Sequence, residues 1–257
     1  MATMLQELRF NGEPVIVTGG GSGIGQACCE ALGELGATVI AVGRTETKLR
    51  ETEALLTSKD ARCAWFVTDV GQEREVEALR QAVEERWGRV KAVINNAGTN
   101  VVKPIDELST QAWRDIITVD LDSVFYMCRA FIPLLLKAAK PSILNVASTF
   151  AIIGQGKMPV YCAAKGGVVS LTRQMAVDYG PEGLRVNSLC PGPTLSPRVR
   201  GYFDRGLVDR KPVEDLVLLR RLAECHEIAN VAAFLVSDAA SFVHGSAVVV
   251  DGGQTIH

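Results

Sequence analysis

No apolar run in this chain is long enough to cross a bilayer. The longest candidate, VFYMCRAFIPLLLKAA, is broken by Arg129, Pro133 and Lys137, where about 20 predominantly apolar residues would be needed. The opening MATMLQELRF places Glu7 and Arg9 where a secretory signal would need its apolar stretch, so a cytoplasmic protein is expected. Net charge is also small: 27 Lys+Arg against 29 Asp+Glu give −2 at pH 7. That offers no electrostatic footprint for nucleic acid or an anionic membrane surface. Cysteines spaced for zinc are missing. The seven present, at 28, 29, 63, 128, 162, 190 and 225, are odd in number and read as small buried hydrophobes in a reducing compartment. No metal is expected. Linkers, low-complexity tracts and internal repeats are absent, and 257 residues suit one domain over 1–257.

What is present is alternation. The chain is 47% hydrophobic and 22% charged, rich enough in apolar residues for strands buried on both faces. Short runs read as strands: PVIVTGG, ATVIAVGR, ARCAWFVTDV, VKAVINNAG, PSILNVAS, GLRVNSLCPG and SAVVVDGG. Between them lie helical patterns at about 22–35, through TKLRETEALL, at about 73–87 with Gly88 as cap, at about 110–138, through VYCAAKGG and beyond, and at HEIANVAAFLVS. This rhythm predicts an α/β fold of three layers, a doubly wound Rossmann-type parallel sheet of about seven strands with helices on both faces. One irregular segment, about 191–222, carries four prolines and both signs of charge. Long segments of this kind are usually functional, and a substrate loop or lid is expected there.

TGGGSGIG, Thr18 to Gly25, falls directly between the first strand and first helix. Gly19, Gly23 and Gly25 are spaced GxxxGxG, not GxGxxG. The mechanics are shared: glycine allows positive φ in a tight turn and close approach of a pyrophosphate to the backbone. The helix start then offers unpaired N–H groups and a positive dipole end. Gly19, Gly21, Ser22, Gly23, Ile24 and Gly25 are therefore candidates to hold a dinucleotide. A carboxylate roughly 20 residues further on would suit the ribose 2′-OH of NAD, and an arginine the 2′-phosphate of NADP. The second strand ends AVGRT, with Gly43 at the carboxylate position, Arg44 next and Glu46 two further. NADP(H) is expected ahead of NAD(H). Asp69, beside Val70 at the end of strand three, either accepts from the adenine amine or caps the next helix.

VYCAAKGG sets Tyr161 and Lys165 four residues apart, one above the other on a helix. Alone, the pair could be structural. Together with the glycine loop, NNAG (Asn95 to Gly98), Ser148 in NVAS, CPG (Cys190 to Gly192) and VDGG (Val250 to Gly253), it makes nearly the whole chain resemble the short-chain dehydrogenase/reductase family in its single-domain form. The resemblance implies that Tyr161 is the general acid/base, Ser148 the donor to the substrate oxygen and Lys165 a ligand of the nicotinamide ribose. It places Asn96, Ala97 and Gly98 along the cofactor, and Pro191, Gly192, Thr194 and Ser196 around the nicotinamide carboxamide. It also implies a homotetramer or dimer. The family's fourth catalytic position, usually asparagine, is Asp120 here, in DLDSVF. Its carboxylate would reinforce the charge of Lys165 or partly cancel its effect on Tyr161.

The chemistry suits the pair. A free phenol titrates near 10, and a general base works best near the ambient pH. Closing a gap of about three units takes about 4 kcal/mol, close to what one ammonium about 4 Å away supplies at an effective dielectric of 20. Phe150, Ile152, Met158 and the 193–222 segment are the expected substrate contacts, with Ser148 and Tyr161; the first three are apolar and imply a small-molecule carbonyl or alcohol with a hydrophobic body. The seven basic and four acidic residues of the 193–221 stretch either meet an anionic tail or form a solvated lid. The expected function is NAD(P)-dependent interconversion of a ketone or aldehyde and a secondary alcohol. A 3-oxoacyl-[acyl-carrier-protein] reductase is the second reading; Val177, where such enzymes often carry arginine, and the low net charge oppose it. A dinucleotide-binding sensor or scaffold without turnover is the third, opposed by the intact Ser148, Tyr161 and Lys165.

Overall fold

A computed structural model describes residues 3–256. Seven strands form one parallel sheet: β1 (Pro14–Thr18), β2 (Thr38–Gly43), β3 (Arg62–Val67), β4 (Ala92–Asn95), β5 (Ser142–Val146), β6 (Arg185–Pro191) and β7 (Ala247–Val250), in the order β3-β2-β1-β4-β5-β6-β7. β1, β4, β5 and β6 are buried along their whole length. Helices cover both faces, and this is why these strands read as continuous apolar runs rather than alternating ones.

The helices, in chain order, are α1 (Met4–Glu7), α2 (Gly23–Glu34), α3 (Glu46–Thr57), α4 (Glu73–Trp87), α5 (Thr110–Ile117), α6 (Ser123–Leu135), α7 (Pro159–Tyr179), α8 (Pro197–Asp204), α9 (Arg210–Asp215) and α10 (Cys225–Val236). On one face, residues of α4, α6 and α7 such as Leu79, Phe131 and Val168 pack against Ile16 and Ile143. On the other, Leu32 of α2 and Ile228 of α10 pack against Val15 and Leu144. Gly88 ends α4 in the left-handed region at φ 70°, as its position in the sequence predicts.

Two expectations are corrected. The 110–138 stretch is not one helix: a π-helical turn, Thr118–Asp122, separates α5 from α6. The 191–222 segment is not irregular, because α8 and α9 lie within it. Pro197 sits in the first turn of α8, where a missing N–H and a fixed φ are tolerated, and Ser196 Oγ accepts from Val199 N at 3.3 Å as its N-cap. The capped turn α1 was not anticipated.

All seven cysteines are free; Cys28, Cys29, Cys128 and Cys190 are buried and the other three half-buried. Burial pushes the Cys28 and Cys128 thiols up to about 12, the behaviour of inert core residues. Among the described residues no helix is long and apolar enough to cross a membrane.

Candidate active site

The strand order turns back on itself between β1 and β4, and the crevice beyond the carboxyl ends of these strands is where an open α/β sheet binds its ligand. Thr18, the last residue of β1, ties the two loops there together. Its Oγ1 accepts from Asn96 N at 2.9 Å and from Ala97 N at 3.0 Å, and its carbonyl accepts from Asn96 Nδ2 at 2.9 Å. The glycines around it are sterically required. Gly19 is left-handed at φ 68°. A β-carbon on Gly25 would overlap the Gly19 carbonyl oxygen and lie 2.5 Å from Asn96 Nδ2. The start of α2 carries no side-chain cap, since Ser22 makes no such bond, so its first N–H groups remain for a ligand. A bare backbone cradle at a helix start fits a dinucleotide pyrophosphate. Gly25→Ala is therefore expected to weaken binding of a nicotinamide dinucleotide more than about tenfold, ~1.4 kcal/mol; a fluorescence titration showing native affinity would contradict it.

A cavity of about 500 Å³ opens at this edge, within the size range of small-molecule sites. Of the sequence candidates it is lined by Gly19, Ser22, Gly23 and Ile24; by Asn96, Ala97 and Gly98; by Asp120, Ser148, Phe150, Met158, Tyr161 and Lys165; and by Pro191, Gly192, Thr194 and Ser196. Gly21 instead packs on α3, where a β-carbon would lie 3.0 Å from Lys48 Cβ. Arg44 follows β2 and Asp69 follows β3, both outside the cavity lining; Val70 is buried. Asp69 Oδ1 accepts from Gly71 N at 3.0 Å, closing a local turn, while Gln72 is the N-cap of α4. Ile152 is 51% exposed and is not part of the lining, which corrects its expected substrate contact.

Tyr161 and Lys165 lie on one face of α7, with the Lys165 Nζ 5.7 Å from the centre of the Tyr161 ring. Phe150 meets that ring edge-on at 6.4 Å. Lys165 is 3% exposed and Asp120 fully buried, and they form an ion pair at 3.2 Å. The π turn delivers Asp120 there: one extra residue per turn re-aims its side chain, as such turns often do at functional sites. Lys165 Nζ also donates to Val146 O at 3.1 Å, so a third N–H remains for the cavity. Asp120 Oδ2 accepts from Thr99 N at 2.9 Å. Burial by itself pulls the Lys165 ammonium down, but the Asp120 charge and, after it, Tyr161 outweigh burial and hold it above the ordinary lysine value. Gly98 leaves room for the pair, since a β-carbon on it would lie 2.8 Å from Asp120 Oδ1 and 3.4 Å from Lys165 Nζ. Ser148 is buried, and its Oγ accepts from Phe150 N at 3.2 Å, leaving the hydroxyl hydrogen for another acceptor.

Tyr202, Phe203, Val208, Val213, Leu216 and Leu222, all in the segment expected to supply substrate contacts, also line the cavity, as do Asn100 and Gln254, which sequence reasoning missed. The i, i+3 pair Val213 and Leu216 was a legible signal for part of this lining. Several charges of this segment pair with each other or with α10, while Arg198 lines the cavity. Arg210 binds Glu214 at 2.8 Å, Lys211 binds Asp215 at 2.7 Å, and Arg221 binds Glu227 at 2.6 Å. α8 reaches across to the NNAG loop through Arg198 Nη2 to Gly98 O at 2.7 Å and Tyr202 OH to Asn100 Oδ1 at 3.3 Å.

Comparison with known proteins gives a consistent set. A family model described as enoyl-(acyl carrier protein) reductase matches residues 19–255. The chain is 37% identical to meso-2,3-butanediol dehydrogenase of Serratia marcescens, over 96% of either chain. It is 35% identical to cyclopentanol dehydrogenase of a Comamonas species, over 96% of this chain and 98% of that one. The crystal structure of levodione reductase superposes with a TM-score of 0.89 at 34% identity, covering 96% of this chain and 98% of the other.

Proposed function

The chain belongs to the short-chain dehydrogenase/reductase family, and from that premise we propose that it interconverts a small-molecule ketone and a secondary alcohol, with Tyr161 as general acid/base. The observation that carries this reading is the buried Lys165 ammonium beneath the Tyr161 ring in the cavity that also holds Ser148 and the glycine loop. A bound nicotinamide supplies or takes up the hydride. Ser148 donates to the reacting oxygen and fixes its position. Tyr161 gives its proton to that oxygen in reduction and takes it back in oxidation. Lys165 supplies positive charge beside the phenol and a donor for a ribose hydroxyl, and Asp120 holds the lysine in place.

NADP(H) is our preferred cofactor. Arg44 is exposed and enters no ion pair among the described residues, whereas Glu46, the nearest carboxylate along the chain, is bound to Arg50 at 2.7 Å. An unpaired guanidinium at the end of β2 suits a 2′-phosphate. Fluorescence titration should give tighter binding of NADPH than NADH. Arg44→Ala should weaken NADPH about tenfold, ~1.4 kcal/mol, and leave NADH unchanged; equal affinities in the native protein would remove the NADP assignment.

A panel of cyclic, acyclic and aryl ketones against an acetoacetyl thioester then separates a general ketone reductase from an acyl-carrier-protein reductase. Tight cofactor binding with no turnover of any carbonyl would favour the sensor reading. We further propose a homotetramer or dimer, read as one domain with its lid at 191–222. Fully exposed Phe242, with Val177 and Ile256 at more than three-quarters exposure and Val249 on the edge strand β7, gives it apolar surface to cover. The free, largely buried cysteines suit a reducing, cytoplasmic compartment.

A further inference from the structure

One polar side chain in the cavity has no part in this chemistry. Gln254 lies in the turn after β7, is 6% exposed, and lines the cavity with Ser148 and Thr149. Thr149 Oγ1 donates to its Oε1 at 2.9 Å, and Thr149 is itself 1% exposed and follows Ser148 directly. The turn carrying Gln254 is fixed by the Asp251 carboxylate, which accepts from Gly253 N at 2.9 Å, Thr255 N at 2.8 Å and Thr255 Oγ1 at 2.8 Å. The amide is thus held from both ends. Its two Nε2 donors meet no acceptor among the described residues, and they border the cavity rather than the packed core. Other residues of the cavity lining, including Phe150, Met158, Val213 and Leu216, are apolar.

We propose that Gln254 is a substrate-recognition residue, and that the natural substrate carries a second oxygen, hydroxyl or carbonyl, within a few bonds of the reacting carbon. The substrate class is diols, hydroxyketones and diones rather than simple alcohols and ketones. This rests on the reading of the cavity as a ketone/alcohol oxidoreductase site. A donor pair covered by a substrate that brings no acceptor loses its water and gains nothing, and sites built to bond a substrate oxygen reject analogues lacking it.

The test compares cyclohexanol with the 1,2-, 1,3- and 1,4-cyclohexanediols and with the matching diones, on native enzyme and two variants. Native kcat/KM for at least one diol should exceed that for cyclohexanol about tenfold or more, ~1.4 kcal/mol. Dissociation constants by calorimetry should move in parallel. Gln254→Leu should bring the diol-to-cyclohexanol ratio to about one. Gln254→Glu, nearly isosteric and still able to accept from Thr149, should keep diol preference, because a substrate hydroxyl can donate to it, and lose dione preference. Turnover of cyclohexanol with no diol preference, or the same preference in Gln254→Leu, overturns the subsite and leaves the reaction standing. Absence of turnover with every compound overturns both.

Discussion

Tyr161→Phe is expected to lower kcat for alcohol oxidation and ketone reduction about 10³-fold, inside the 10²–10⁴ range of positioned acid–base groups, with NADPH affinity changed less than about threefold, ~0.6 kcal/mol. The substitution removes one oxygen and little else. The ring's edge-on contact with Phe150 at 6.4 Å and its place 5.7 Å from Lys165 Nζ do not depend on the hydroxyl. Lys165 keeps its bond to Val146 O and its pairing with Asp120, so the donor proposed for the ribose stays in position. A loss in kcat without loss of cofactor binding therefore isolates proton transfer from binding. Steady-state kinetics beside a fluorescence titration measure both. Undiminished turnover would refute the assignment of the phenol, whatever else the cavity does.

The residues that made this expectation possible were legible because they sit on regular elements. Tyr161 and Lys165 share a helix face by spacing alone, and the glycine loop is marked by its place between β1 and α2. β1, β2 and β4 announced themselves as Val/Ile runs because strands covered on both faces have no reason to alternate. What stayed hidden lacks periodicity. The π turn over Thr118–Asp122 has no sequence signature, since one extra residue per turn shifts side chains without changing residue type. The spacing of Asp120 therefore could not show that it would meet Lys165. α8 and α9 are eight and six residues long, so among their charges only a short signal such as Val213 and Leu216 marks an apolar face. Gln254 reaches the cavity only because β7 lies beside β6 and returns the chain's end to the sheet's carboxyl edge.

Asp120→Ala should produce the largest loss of stability, about 3–5 kcal/mol, the usual consequence of removing one partner of a buried pair. Set against the 5–15 kcal/mol that holds a typical domain together, this is a large fraction. Asp120 is fully buried and satisfies Thr99 N at 2.9 Å as well as pairing with Lys165 at 3.2 Å. Without it the ammonium keeps Val146 O but has no counter-charge. The pH dependence should change sign. In the native protein Lys165 is held above its ordinary value of 10.5, so its contribution is present below that pH and fades as pH rises through the folded value. In the alanine variant burial, the largest single influence, is opposed only by Tyr161 and should pull the lysine below its unfolded value, so stability should rise as pH climbs toward 10.5. Urea unfolding between about pH 7 and pH 10 should show no slope from Lys165 in the native protein, whose loss lies above 10.5, and a rising slope in the variant. Adding Lys165→Met should recover part of the loss, because the uncompensated charge goes with it. Asp120→Asn keeps the shape and an acceptor for Thr99 N. It should retain activity within about tenfold, ~1.4 kcal/mol, with the pH–rate profile moved to lower pH, because the lysine's charge is no longer offset beside the phenol. Native stability and a native pH slope in Asp120→Ala would mean that the pair contributes nothing to the fold or to the charge at this site.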